Sequence, residues 1–389
     1  MLRAAYRLPF RILGIPIEIH ISFLLILPVF AFVIGANLET FVDQFGLDVD
    51  PTRLEGEGFR FLLGLVAVVG LFASVLVHEL GHCVVGRALG MKIRVITLWL
   101  LGGMAQFEKL PRRRGHEALM AIAGPITSLA IAGVFWGALA LTPRDLAAPV
   151  FVMAYLMWMN VILAGFNLLP ALPLDGGRVF RSLLALRWSY LEATQTAVRV
   201  SKALAFALGI VGILGGQGGI WLVILAFFIY MAVVAEGQLT TVAEVLRGID
   251  VGDLMTRDVK TVAPETPLTE LMHRMIEEKH LAYPVVSGEG DLLGVVTLGA
   301  VQGRIREAPE LELTVRDVMS AEFGAIRPGE SALEAFERIT REDLGRLLVI
   351  DDERRLRGII SKTDLVRAVQ VRLVEFSLRD GAGAKAETA

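Results

Sequence analysis

The sequence predicts a polytopic α-helical membrane protein of about six spans with a smaller polar α/β domain behind it. Three observations carry that expectation. Mean hydropathy is +0.59, and 54% of the 389 residues are hydrophobic against 20% charged, more apolar and less charged than a soluble domain. Charge is also unevenly spread: 47 acidic and basic residues fall from Thr241 onward, against 32 in the first 240. The polar C-terminal part, moreover, repeats itself at an offset of 64 residues. The domains expected are therefore 1–240 in the membrane, 241–375 as a tandem repeat, and a small, polar, disordered tail at 376–389.

A helix needs about 20 apolar residues to cross about 30 Å of hydrocarbon. Stretches of that kind lie at 16–36, 61–87, 117–141, 148–169, 197–215 and 218–236. Basic loop residues set the orientation. Arg3, Arg7 and Arg11 precede the first span, and the loop 37–60 is acidic. The segments 87–116 and 178–199 are again basic. This alternation predicts a multi-pass cell-membrane protein with both termini and the polar domain in the cytoplasm. Glu18 and His20 interrupt the approach to the first apolar core, which argues against a cleaved signal peptide.

Composition excludes some classes. A net charge of −3 leaves no basic footprint for nucleic acid. The lone cysteine, Cys83, excludes an internal disulfide framework.

The second span carries His78, Glu79 and His82. Positions i and i+4 share a helix face, so two imidazoles can hold one zinc ion with the glutamate beside them as general base. The bland alternative is a pair of histidines bonded to neighbouring helices. A catalytic zinc wants three protein ligands and one open position. The segment 166–180, FNLLPALPLDGGRVF, offers one carboxylate, Asp175, behind Pro170 and Pro173 and before Gly176-Gly177. Geometry alone leaves Asp175 equally a third ligand or the N-cap of a short helix. Non-helical backbone at membrane depth must be buried in protein or face a water-filled cavity, where a hydrolase would need its site.

HELGH on a span, followed by N-x-x-P-x-x-P-L-D-G-G, resembles the site-2 protease family of intramembrane zinc metalloproteases. GIPIEIHISF (14–23) and AGPITSLA (123–130) resemble the same family, and the likeness covers roughly residues 10–236. It implies that His78, His82 and Asp175 bind one zinc, that Glu79 is the catalytic base, and that substrates are membrane-spanning proteins. Asn167 matches the family's polar residue before the proline-rich loop, and with His20 of the first span it is a candidate substrate or oxyanion contact. For His20 a satisfied polar contact is the competing reading. Residues 91–110 alternate and break at Gly102-Gly103, as a hairpin would. The segment 91–100 is expected to be an edge strand on which an extended substrate pairs.

In the polar part, residues 253–303 and 317–367 align: Met255 with Met319, Pro264 with Pro328, Gly294 with Gly358. Each copy runs proline, amphipathic helix, strand, polar turn, strand, helix. This resembles a cystathionine-β-synthase-type (CBS) pair. The second copy fits that family's ribose-contacting signature through Gly358, Ser361 and Asp364, whereas the first has Thr297 and then Ala300 in place of the aspartate. The resemblance implies an adenine nucleotide at Ser361 and Asp364. The alternative is that Asp364 starts a helix and the pair is a homodimerisation module.

The function expected is an intramembrane zinc endopeptidase regulated by adenine nucleotide. Its rivals are a CBS-regulated transporter or channel, against which no inverted repeat is evident, and a non-catalytic scaffold, against which the intact Glu79 speaks.

Overall fold

A computed structural model describes residues 5–47, 54–100, 102–107, 115–216, 219–307, 312–342 and 344–386. The chain forms two compact units, Met1–Gln238 and Leu239–Ala389.

The first unit opens with two strands, β1 (Ala5–Ile12) and β2 (Ile15–His20). Leu13 and Gly14, at φ 51° and 77°, make the tight turn between them, and two such residues match the twist of a hairpin. Hydropathy alone places residues 16–20 in the first span, but they belong to β2. Helix α1 therefore starts only at Ile21 and runs to Ala36, 16 residues or about 24 Å. It bends by 64° into α2 (Leu38–Gln44). Five helices among the described residues are long and apolar enough to cross a membrane, or six if this bent pair counts as one.

The long helix α3 (Glu57–Ala88) leads into β3 (Ile93–Trp99) and β4 (Gly102–Phe107). Helices α4 (His116–Leu141), α5 (Ala147–Asn167), α6 (Asp175–Leu184), α7 (Tyr190–Leu214) and α8 (Ile220–Val245) follow. Helix α7 begins seven residues before the apolar stretch expected at 197. Ser189 and Glu192 cap it reciprocally, and a capping box starts a helix regardless of hydropathy. Helices α1, α3 and α5 share one core around Phe23, Phe72, Phe151 and Tyr155, with the rings of Phe23 and Phe72 edge to face at 4.5 Å.

The sheet order is β1-β2-β3-β4, with β2 and β3 parallel and the outer pairs antiparallel. This corrects one expectation. The segment 91–100 is an inner strand, because the N-terminal hairpin pairs with it through Ile17, Glu18 and Ile19. Among the described residues, β4 is the edge strand beside β3.

In the second unit the repeat is literal. Helix α10 (Leu268–Glu277) and strands β5 (Ala282–Val286) and β6 (Leu292–Thr297) follow the short α9 (Val251–Leu254). After α11 (Leu298–Glu307) and β7 (Ala325–Ile326), they recur 64 residues on as α12 (Ala332–Arg341), β8 (Arg346–Ile350) and β9 (Leu356–Ser361). The lead-in to each copy bridges the other copy's second strand, Thr256 to Ile359 and Ser320 to Val295. Gly358 is where Thr256 crosses: a Cβ there would lie 2.8 Å from its carbonyl oxygen. Helix α13 (Lys362–Ala386) closes the unit. The expected tail, 376–389, lies outside the residues whose side chains are described.

Candidate active site

Helix α3 carries His78 and His82 one turn apart, and both are buried. Their Nε2 atoms lie 3.2 Å apart, each 3.2 Å from Oδ2 of Asp175. The remaining ring nitrogens are anchored on α4. His82 Nδ1 lies 2.8 Å from the Met120 carbonyl oxygen, and His78 Nδ1 lies 2.8 Å from the Ser128 hydroxyl. A carbonyl only accepts, so His82 carries its proton on Nδ1 and turns the Nε2 lone pair inward. Two acceptor atoms, His82 Nε2 and Asp175 Oδ2, then lie 3.2 Å apart, an arrangement that repels itself unless a cation or proton lies between them. Imidazoles oriented by such second partners are typical of metal sites. The donor set, two imidazoles and one carboxylate, suits zinc.

Asp175 reaches this point because the chain turns sharply before α6. The cap position is Leu174, in extended conformation and with no side-chain cap, so the carboxylate is turned to the imidazoles. A Cβ on Gly176 would strike the Leu168 and Leu169 carbonyls, and one on Gly177 the backbone of Ala171 and Leu172. The proline-rich loop therefore lies directly against the first turn of α6. Ser201 of α7 ties it down, its Oγ accepting the Leu172 N–H at 2.8 Å. Gly124 does the same for α4: a Cβ there would sit against Nε2 of both histidines.

Glu79 is half-buried, and its Oε2 accepts the Ala105 N–H of β4 at 3.1 Å. Gly103 lets the strand come this close, since a Cβ there would lie 2.5 Å from Glu79 Cγ. A cleft of about 220 Å³ is lined by His78, Glu79, His82, Asn167, Asp175 and Arg178, among others. Asn167 ends α5, and its amide donates to the Leu163 carbonyl at 3.0 Å. His20 is not brought in. It caps α1, Nδ1 accepting the Ser22 N–H at 3.2 Å. Cys83 is buried with Ile15, Ile17 and Ile96 beneath the sheet.

Sequence reading missed Ser128, Met120, Ser201 and Arg178. One signal was available: Gly124 and Ser128, both in AGPITSLA, stand four apart on one helix face.

In the second unit Asp364 Oδ2 accepts the Ser361 N–H at 3.0 Å and the Ser361 hydroxyl at 2.6 Å. The Ser361 hydroxyl accepts the Asp364 N–H in return at 3.2 Å. This is a reciprocal cap at the start of α13. A cavity of about 330 Å³ lies instead beside the first copy's Thr297 and Ala300, with Tyr283, Phe323 and Arg346 among its lining. Burial and the neighbouring Glu278 push the Tyr283 hydroxyl up to about 12, so it stays a donor.

The peptidase family M50 model matches residues 66–146 and 144–208, and the CBS domain model matches 251–307 and 315–371. A zinc metalloprotease of Methanocaldococcus jannaschii is 31% identical over 374 residues, 95% of this chain and 98% of that protein. The chain belongs to peptidase family M50, the site-2 proteases. Rip3 of Mycobacterium tuberculosis is 30% identical to this protease over 377 residues, covering 93% of this chain and 92% of Rip3. A solved site-2 protease from Methanocaldococcus jannaschii is 32% identical and covers 60% of this chain and 95% of its own, at a TM-score of 0.42. Membership in a peptidase family displaces the transporter and channel readings. In the site-2 protease the CBS matches follow the peptidase match along the chain.

Proposed function

We propose that His78, His82 and Asp175 hold one zinc ion and that the protein hydrolyses peptide bonds of membrane-spanning protein substrates with Glu79 as general base. The observation that carries this reading is the convergence of His78 Nε2, His82 Nε2 and Asp175 Oδ2 in a cleft shared with Glu79. Held by these three residues, zinc would supply Lewis acidity to the scissile carbonyl and to the attacking water. Glu79 takes a proton from the attacking water and returns it to the leaving amine. Its Oε2 is held by Ala105, which leaves Oε1 for the transfer. Asn167 stands at the cleft to orient substrate.

A helix hides its carbonyls in hydrogen bonds, so the substrate must unwind locally. β4 supplies the edge for the extended segment, and Glu79 is bonded to that same strand. Loop 37–60 lies outside the cytoplasm, and the termini and CBS pair lie inside it. The CBS pair regulates cleavage through an adenine nucleotide at Ser361 and Asp364, and associates as a homodimer.

The test is detergent-purified full-length protein, measured for zinc and for cleavage of a single-span substrate. One zinc per chain and a cut within the span are expected. Zinc-free protein, or bound zinc with no cleavage, overturns the reading.

A further inference from the structure

Arg178 lies one turn after Asp175 on α6, on the same face of the helix. It lines the cleft that holds His78, Glu79 and His82. Its Nε is buried and has no hydrogen-bond acceptor among the described residues. Neither carboxylate of the cleft is directed to it: Asp175 faces the two imidazoles, and Glu79 accepts from Ala105.

The next arginine on the helix shows what the fold does with a structural guanidinium. Arg181 is buried, paired with Glu117 and with Glu236 at 3.6 Å, and stacked over the Tyr190 ring. The Nε of Arg181 is likewise buried without an acceptor of its own, so the difference lies in the carboxylates: Arg178, one turn nearer the ligands, has no ion pair among the described residues. The Arg178 side chain as a whole is half-buried, but its Nε is a buried donor, and such a donor without an acceptor costs free energy. Such a group in a cleft is matched to an acceptor that arrives with the ligand. For a peptidase that acceptor is a backbone carbonyl, and the one that gains negative charge during reaction is the scissile one.

We propose that Arg178 donates to the carbonyl oxygen of the scissile peptide and holds the charge that forms there. The role rests on the protease reading above. As water oxygen bonds to the carbonyl carbon, the C=O π pair moves onto oxygen and the water proton goes to Glu79. Arg178 keeps all its protons and supplies only its N–H dipoles. When the C–N bond breaks, the pair returns to re-form C=O, and the proton on Glu79 passes to the amine. A guanidinium suits this because it stays charged and presents a fixed fork of donors.

The test compares full-length wild type, Arg178→Lys and Arg178→Ala in detergent, with zinc content measured alongside steady-state cleavage of a single-span substrate. Loss of one oxyanion donor lowers kcat by about 10²–10³-fold. Arg178→Ala is expected to fall in that range with zinc and KM unchanged, and Arg178→Lys to fall less. Added methylguanidinium should restore part of the kcat of Arg178→Ala and none of that of Glu79→Gln, which a merely structural arginine would not allow. Wild-type kcat in Arg178→Ala overturns the role. So does a raised KM at unchanged kcat, which marks ground-state binding only. Loss of zinc together with activity also overturns it, and makes Arg178 a support for Asp175. A wild type that binds zinc and cuts nothing overturns the protease reading, and this role with it.

Discussion

His82 donates its Nδ1 proton to the Met120 carbonyl at 2.8 Å, and that bond decides which of its nitrogens faces the centre. Met120 stands on α4 and His82 on α3, so the orientation of an imidazole on one helix is set by the backbone of the next.

The ligand assignment predicts about one zinc per chain. His82→Ala and Asp175→Ala should each lower metal content sharply, measured by atomic absorption on purified protein. Ser128→Ala removes only the partner of His78 Nδ1 and should weaken zinc by about 10–100-fold. Full zinc occupancy in Asp175→Ala would return that residue to a helix-terminus role.

Gly124→Ala puts a Cβ against both imidazoles, whereas Gly133→Ala on the same helix meets nothing within 4 Å. The first should lose zinc and activity, and the second should keep both. Equal behaviour of the two variants would remove close packing as the reason for a glycine at 124.

Glu79→Gln keeps the size of the side chain but cannot take a proton. Cleavage should fall by at least about 10²–10⁴-fold with zinc retained, and retained zinc separates lost chemistry from a lost site. Near wild-type cleavage would remove Glu79 as the base.

Gln44 at the end of α2 and Glu289 in the CBS pair are both exposed. In a Cys83→Ala background, Gln44→Cys should react with an impermeant thiol reagent from outside intact cells. Glu289→Cys should react only after the cells are opened. Labelling of both from one side contradicts the topology proposed from loop charge.

Asp364→Ala removes a charge-assisted contact of about 1.5–3 kcal/mol, so AMP should bind the full-length protein about ten- to 150-fold more weakly by calorimetry. The same carboxylate caps α13, so the melting temperature is read alongside. Unchanged AMP affinity would move the nucleotide to the cavity at Thr297 and Ala300. Absence of binding in the wild type would leave the pair as an association module.

The spacing of His78 and His82 was legible because helix periodicity is local: four residues on an apolar helix bring two side chains to one face. The CBS-type repeat was equally legible, since an offset of 64 in sequence reappears as the same offset between α10 and α12, β5 and β8, and β6 and β9. The membrane character of the first unit followed from hydropathy alone, which needs no knowledge of partners.

Tertiary structure decided what lies between distant segments. Asp175 and His78 are 97 residues apart, and only the packing of α6 on α4 turns the carboxylate to the imidazoles. Strand partners are likewise not written in the strands. β3 alternates like an edge strand, and it is inner because residues 15–20, apolar enough to pass for the start of a span, form β2 instead. Hydropathy measures how much apolar surface a segment carries, but not whether a lipid tail, a neighbouring strand or a core buries it. The role of Gly124 was out of reach for the same reason: a missing Cβ has meaning only once the imidazoles that fill its place are known.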